Sequence, residues 1–206
     1  MDTLSAALSY AARGWAVFAI SAKAPFRHSR GLLDATTSKT GIREGWRRHP
    51  KANVAIRTGR QSGLVVLDVD PRHGGDDALY ELEREYAPLP TTPEVCTGGG
   101  GRHIYFRAPV ELGRKSESAL GGGLDVRAEG AYVVAPPSAH PSGERYEWEV
   151  SGHPDDVPLA EIPGWLLALM RKRKTSKRRG PGEAKRQAWQ LAQLIPERRA
   201  QLRACP

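Results

Sequence analysis

At 206 residues with 39 % hydrophobic content, the chain has room for one catalytic-sized domain and a tail, and it can pack a core without disulfides. Its two cysteines, Cys96 and Cys205, are too few for a disulfide framework or a cysteine-rich zinc site. The net charge of +8 is unevenly spread: residues 1–60 carry 11 Lys/Arg against 3 Asp/Glu, residues 61–170 carry 8 against 18, and residues 171–206 carry 12 against 2.

Along the chain, residues 3–13 read as a helix with Thr3 as N-cap, Leu4, Ala7, Leu8 and Ala11 on one face, and Gly14 as the stop. Residues 15–20 form an apolar, strand-like run, and 21–40 read as a polar loop carrying Lys23, Pro25 and Arg27. A short helix over 41–48 ends before Pro50, and 54–57 is a short strand. The clearest strand is 64–70, where Leu-Val-Val-Leu is a buried run and Asp68-Val-Asp70 alternates polar and apolar. A helix over 76–86 follows, with Leu79, Leu82 and Tyr86 on one face. Strands are expected at 94–97 and 103–107 around the glycine run 98–101, then at 124–127, 131–135 and 145–150, with a closing helix at 163–170. From 171, seven of nine residues are basic, which sets a catalytic domain over 1–170 and a basic tail over 171–206, partly helical across 183–204 through Trp189, Leu191, Leu194 and Ile195. Helices and strands mix without βαβ spacing, which favours an α+β fold with a mixed or antiparallel sheet. No apolar run approaches the roughly 20 residues of a membrane span, and the N-terminus lacks a signal-peptide layout. The chain therefore reads as cytoplasmic.

The acidic middle between two basic blocks fits a protein that meets phosphate with its basic surface and divalent metal with its carboxylates; an ordinary domain with a solvated tail has the same charge pattern. Asp68 and Asp70 are two apart on a strand, so both side chains share a face. Two carboxylates there, joined by a third, are what a pair of Mg²⁺ or Mn²⁺ ions needs. Aspartate before Pro71 and Gly74 is also ordinary turn chemistry. D-x-D occurs in nucleotide-sugar glycosyltransferases too, so the pair alone does not fix the reaction. Asp125, in Gly-Leu-Asp-Val-Arg, is the candidate third carboxylate, and Arg127 shares its facing.

The four glycines 98–101 let the backbone approach a ligand and turn N–H groups toward phosphate, with His103 opening the next strand; a hairpin turn with a structural histidine is the competing reading. The segment is no Walker loop, since no Lys-Ser or Lys-Thr follows it. Lys23 offers charge to a phosphate, and is otherwise a surface lysine. Trp46 belongs to the core. Pro136-Pro137-Ser138 shapes a rigid turn, with Ser138 and His140 as candidate polar contacts, Ser138 to the nucleotide.

Taken in order, several segments resemble the N-terminal catalytic domain of bifunctional DNA primase/polymerases, a family of plasmids, phages and integrated elements within the archaeo-eukaryotic primase superfamily. They are Gly14-Trp15-Ala-Val-Phe, Lys23-Ala-Pro25, Trp46 with Pro50, and Asn53-Val-Ala-Ile-Arg-Thr-Gly59. Then come Ser62 through Asp70, Thr97 through Phe106, Gly123-Leu-Asp-Val-Arg127, Tyr132 through Ser138, Gly143 and Tyr146. The resemblance implies a primase-like core with an RNA-recognition-motif-like half. It implies that Asp68, Asp70 and Asp125 are catalytic and hold two Mg²⁺ or Mn²⁺ ions. It also implies that Gly101-Arg102-His103 is the small-x-His motif whose histidine contacts the triphosphate, with Arg127 and Lys23 as further phosphate contacts.

The implied partners are a DNA template and primer, (d)NTPs and a separate helicase, with no membrane, in a bacterial, phage or plasmid-encoded setting. No zinc is expected, because the Cys/His set of the zinc insertion in some relatives is missing. Many relatives continue into a helical primase domain and a helicase, so either another chain supplies those functions or this one is a fragment. Extension of a 3′ end is then a safer expectation than de novo priming. Two rivals remain: a metal-dependent nuclease on the same carboxylates and His103, and a non-catalytic DNA-binding module that loads a replication helicase.

Overall fold

A computed structural model describes residues 1–110 and 118–172. Apart from the end of the last helix, the basic tail and its expected helix over 183–204 lie outside them.

Helix α1 (Thr3–Ala12) is capped by Asp2, whose carboxylate accepts the Ser5 N–H at 2.8 Å. Thr3, expected as the cap, instead accepts the Trp46 indole N–H at 2.9 Å and ties α1 to the next helix. Its buried face is Ala6, Ala7, Tyr10 and Ala11, and the three alanines are small enough to bring the helix close to a sheet. Gly14, at φ +84°, ends it in the left-handed region. Strand β1 (Val17–Ser21) turns into the two-residue β2 (Ala24–Pro25), a hairpin that the loop expectation missed. A 3₁₀ turn (Gly31–Asp34) and helix α2 (Lys39–Arg48) lead to β3 (Asn53–Arg57).

The chain then leaves this sheet. Strand β4 (Leu64–Val69), helix α3 (Gly75–Glu85), β5 (Glu94–Cys96), β6 (Arg102–Arg107), β7 (Ser118–Gly121) and β8 (Leu124–Arg127) build a second one. Strand β9 (Tyr132–Ala135) returns to the first sheet; β10 (Glu147–Trp148) and β11 (Ala160–Glu161) rejoin the second, and α4 (Gly164–Lys172) closes the described chain. The first sheet is four-stranded, β2-β1-β3-β9, and antiparallel throughout. The second is seven-stranded, β10-β5-β6-β4-β8-β7, with β11 parallel to β6 and every other pair antiparallel. The α+β class with a mixed sheet is as expected. The expected strand over 145–150 shrinks to Glu147–Trp148 because Glu149 caps a 3₁₀ turn, accepting the Ser151 N–H at 2.8 Å.

The continuous apolar run of β4 is buried on both faces. Val65, Leu67 and Val69 join Leu79 of α3 and Leu166 of α4 in one core, whereas Leu64 and Val66 join the core shared with the first sheet. That shared core holds an aromatic chain, with Tyr10 stacked on Trp15 at 5.8 Å, Trp15 on Tyr105 at 6.0 Å, and Trp148 5.2 Å from Tyr105. The Tyr10 hydroxyl accepts the Trp148 indole N–H and donates to the Pro136 carbonyl, so the polar tips of these two rings are satisfied where α1 meets the sheets, whereas the buried Tyr105 hydroxyl has no hydrogen-bond partner among the described residues.

Asn53 joins two loops. Its side-chain N–H group donates to the carbonyls of Ala22 (2.9 Å) and Ala139 (2.7 Å), and its oxygen accepts the Ala139 N–H at 3.0 Å. Asn53 itself is buried, whereas Ala22 and Ala139 are exposed and water can take up their freed groups, so Asn53→Ala is expected to cost about 1–2 kcal/mol, read as a lowered urea midpoint with an unchanged m-value.

Candidate active site

The alternation of β4 that buries Leu64 and Val66 against the first sheet places Asp68 next on that face. Register then decides its neighbours: Asp68 lies opposite His103 of β6 on one side and opposite Asp125 of β8 on the other. Side chains opposite each other in an antiparallel pair start about 5 Å apart, so His103, Asp68 and Asp125 form a row across three strands. One step back, Val66 lies opposite Tyr105 and Arg127. The Arg127 guanidinium bridges the two carboxylates through Nη2, 3.4 Å from Asp68 and 3.2 Å from Asp125. His103 Nε2 is 3.7 Å from Asp68.

This row lines a cleft of about 730 Å³. Lys23 lines it as well, from the turn between β1 and β2. Asp70, at the end of β4, faces the same cleft, but its carboxylate is occupied. It caps the 3₁₀ turn Pro71–His73, and accepts the Arg72 N–H at 3.0 Å, the Arg72 guanidinium at 3.1 and 3.2 Å, and a His73 Nδ1 contact at 2.8 Å. The guanidinium, aided by His73, holds the Asp70 carboxyl down to about 2. The turn reading and the site reading of Asp70 are therefore both met.

Three glycines fix where this strand end sits. A Cβ on Gly101 would stand 2.5 Å from the Val69 carbonyl, on Gly123 2.5 Å from the Asp70 carbonyl, and on Gly75 2.8 Å from the Asp70 N. Gly101 thus has a backbone-approach role beside the end of β4. The glycine turn itself is closed: Gly100 N–H goes to the Thr97 carbonyl, and Gly101 N–H to the Thr97 hydroxyl. This is the hairpin alternative, with Gly99 and Gly101 still lining the cleft.

Ser138 is placed elsewhere. It is fully buried, accepts the Val54 N–H at 2.9 Å and donates to the Val54 carbonyl at 3.3 Å, pinning the Pro136–Pro137 turn to β3 rather than lining the cleft. His140, two residues on, does line it, as do Tyr146, Arg72 and His73. Sequence reasoning gave Arg72 and His73 no role, although their position directly after the D-x-D-Pro turn was a usable signal.

The family model of bifunctional DNA primase/polymerase N-terminal domains matches residues 7–165. The chain belongs to this family. No curated protein matches it. Membership associates the primase/polymerase domain with nucleotidyl transfer in general, with DNA and nucleotides as what such a domain binds, and with the divalent metals that its enzymes generally use. Among the described residues no helix is long and apolar enough to cross a membrane.

The donor set suits a hard cation in part. Asp68 and Asp125 are adjacent oxygen donors, and the positive charge now between them is the Arg127 guanidinium. Asp70 joins them only by giving up Arg72 and His73, and among the described residues no three acidic, histidine or cysteine side chains already converge as a metal group.

Burial pushes both cleft histidines, His103 and His140, below the ordinary imidazole value of 6.5. In the unfolded chain these rings protonate near 6.5, while the folded ones resist, so the unfolded state binds more protons below that pH. Their contribution to stability is complete above about pH 6.5 and is lost as pH falls below it. Asp70, also shifted down, loses its contribution in a separate window, from its ordinary 3.8 toward about 2. Thermal midpoints measured from pH 8 to 5 should decline, and His103→Asn should make the decline shallower; a midpoint that rises on acidification in this range would contradict the burial argument.

Proposed function

We propose that the chain is a template-dependent DNA primase/polymerase that transfers nucleotides from (d)NTPs to a 3′-hydroxyl by a two-metal mechanism. The observation that carries this reading is the His103–Asp68–Asp125 row, set side by side by strand register at the cleft that Asp70, Arg127 and Lys23 also line. Asp68 and Asp125 would hold a divalent ion, Mg²⁺ or Mn²⁺, and Asp70 would complete the set for the second once released from Arg72. When bound, such ions activate the attacking hydroxyl and stabilise the departing pyrophosphate.

The remaining work belongs to the chain's own residues. Burial pushes His103 below the ordinary imidazole value, which favours the neutral ring, and a neutral ring keeps one N–H to donate to a phosphate oxygen. Arg127 and Lys23 offset triphosphate charge, Arg127 from the carboxylate strand and Lys23 from the β1–β2 turn. The template's phosphates would meet residues 1–60, with 11 Lys/Arg against 3 Asp/Glu, since the carboxylates sit in the acidic middle of the chain.

The test is a gel assay with Mg²⁺ or Mn²⁺, a labelled primer-template and an unprimed single strand, each with dNTPs or NTPs. Primer extension supports the proposal, and products on the unprimed strand add priming. Shortening of the label without nucleotides would replace it with the nuclease, and DNA binding with neither product would replace it with the binding module.

A further inference from the structure

Asp70 is the expected metal ligand whose carboxylate is already saturated. Arg72 reaches both oxygens, Nε to Oδ1 at 3.1 Å and Nη2 to Oδ2 at 3.2 Å, and His73 adds a contact at 2.8 Å. An aspartate held in this way cannot serve a cation without giving up the guanidinium. Arg72 is lightly held in return: its side chain is 62 % exposed, and a pair so open to water adds little to stability.

On its other side Arg72 lies over the glycine turn, Nη2 standing 3.8 Å from where a Cβ on Gly99 would be. His140 Nε2 lies 3.3 Å from that same point, buried and without a hydrogen-bond partner. A buried imidazole nitrogen left unpaired is costly unless something else satisfies it. The charges of Lys23 and Arg72 both act on the His140 ring. Arg72 and an unsatisfied imidazole nitrogen thus meet at the Gly99 turn, beside the carboxylate that Arg72 occupies, in the cleft that Lys23 also lines. The planar guanidinium fork matches carboxylate and phosphate alike, so moving from one to the other keeps its hydrogen bonding.

We propose that Arg72 exchanges partners, leaving Asp70 for the terminal phosphates of an incoming nucleoside triphosphate seated among Arg72, Lys23 and His140, and so freeing Asp70 for the divalent cation. The exchange rests on the nucleotidyl-transfer reading above and makes Arg72 a positioning residue. Because linkage is reciprocal, whatever removes Asp70 from Arg72 must strengthen phosphate binding even when no metal is present.

That consequence is tested in EDTA, by anisotropy titration of a fluorescent dATP analogue against the full chain. Arg72→Ala should weaken binding roughly tenfold, the size of a lost charge-assisted bond. Asp70→Asn should strengthen it several-fold, and that gain should disappear when Arg72→Ala is also present. Arg72→Lys, which keeps the charge and loses the fork, should fall between wild type and Arg72→Ala, and thermal melts of each variant exclude misfolding. An Asp70→Asn gain that persists undiminished without Arg72 reports bulk charge only and overturns the exchange. So does an Arg72→Ala variant with wild-type affinity. If the wild type extends primers yet shows neither pattern, the exchange fails alone; if it binds no triphosphate with or without Mn²⁺, the polymerase reading fails with it.

Discussion

Asp68→Ala is expected to reduce primer extension by ~10³-fold or more while leaving DNA affinity within about twofold of wild type. Asp68 is the middle member of the row: it faces His103 and Asp125 across its two ladders, and Arg127 reaches it at 3.4 Å. Removing it takes away one of two adjacent oxygen donors and one of the two carboxylates that Arg127 bridges. Its side chain is 28 % exposed and its backbone is held in ladders on both sides, so the fold should survive, which a thermal midpoint within a few degrees of wild type would verify. Single-nucleotide incorporation under saturating primer-template is the measurement. Near-normal incorporation by a folded Asp68→Ala protein would remove Asp68 from the chemistry and with it the proposed mechanism.

Gly123→Ala should damage both stability and activity. Gly123 has φ +78°, and a Cβ there would stand 2.5 Å from the Asp70 carbonyl and 2.7 Å from the Gly75 nitrogen, both of them backbone. The left-handed conformation costs an alanine about 1–2 kcal/mol, and a forced backbone shift about 1–3 kcal/mol more. A total of roughly 2–5 kcal/mol corresponds to a fall of about 5–15 °C in the thermal midpoint for a chain of this size. Incorporation should drop even well below that midpoint, because the 2.8 Å bond from the Asp70 N–H to the Gly123 carbonyl positions the carboxylate. Gly14→Ala is the control: φ is +84°, but nothing lies within 4 Å of its Cβ position, so only the conformational cost applies. Equal losses in the two variants would mean that the close approach to Asp70 carries no weight.

Local features of the sequence were read well where they are set locally. The run Leu64 to Leu67 is apolar at every position because it faces a core on both sides, and period 2 put Asp68 and Asp70 on one face. The adjacency of Asp125 was not readable from its surroundings: it depends on β8 pairing with β4 in one particular register, a non-local fact that only the family resemblance anticipated. The glycine run could be read as a phosphate cradle or as a hairpin turn, and Thr97 takes up the Gly100 and Gly101 N–H groups through its carbonyl and hydroxyl, which is the hairpin. Ser138 and His140 were paired as polar contacts, and the chain sends them apart, one into the ladder beside Val54 and one into the cleft. Strands of two residues, such as Ala24–Pro25 and Ala160–Glu161, are too short to carry periodicity.

The order in which the chain visits its sheets bears on how it acquires its structure. The first sheet is begun by β1 and β3 and finished only by β9, after nearly all of the second has been laid down, while the second waits for β10 and β11. During synthesis, β3 therefore emerges with an open edge that no nearby segment can cover, and neither sheet can be completed until most of the chain is available. Closing such distant pairings is entropically slow. The chain should fold as one late cooperative event rather than in stages, exposing apolar strand edges until then and relying on prompt completion to avoid aggregation. For the same reason, severing it between the two sheets should not yield two independently folding pieces.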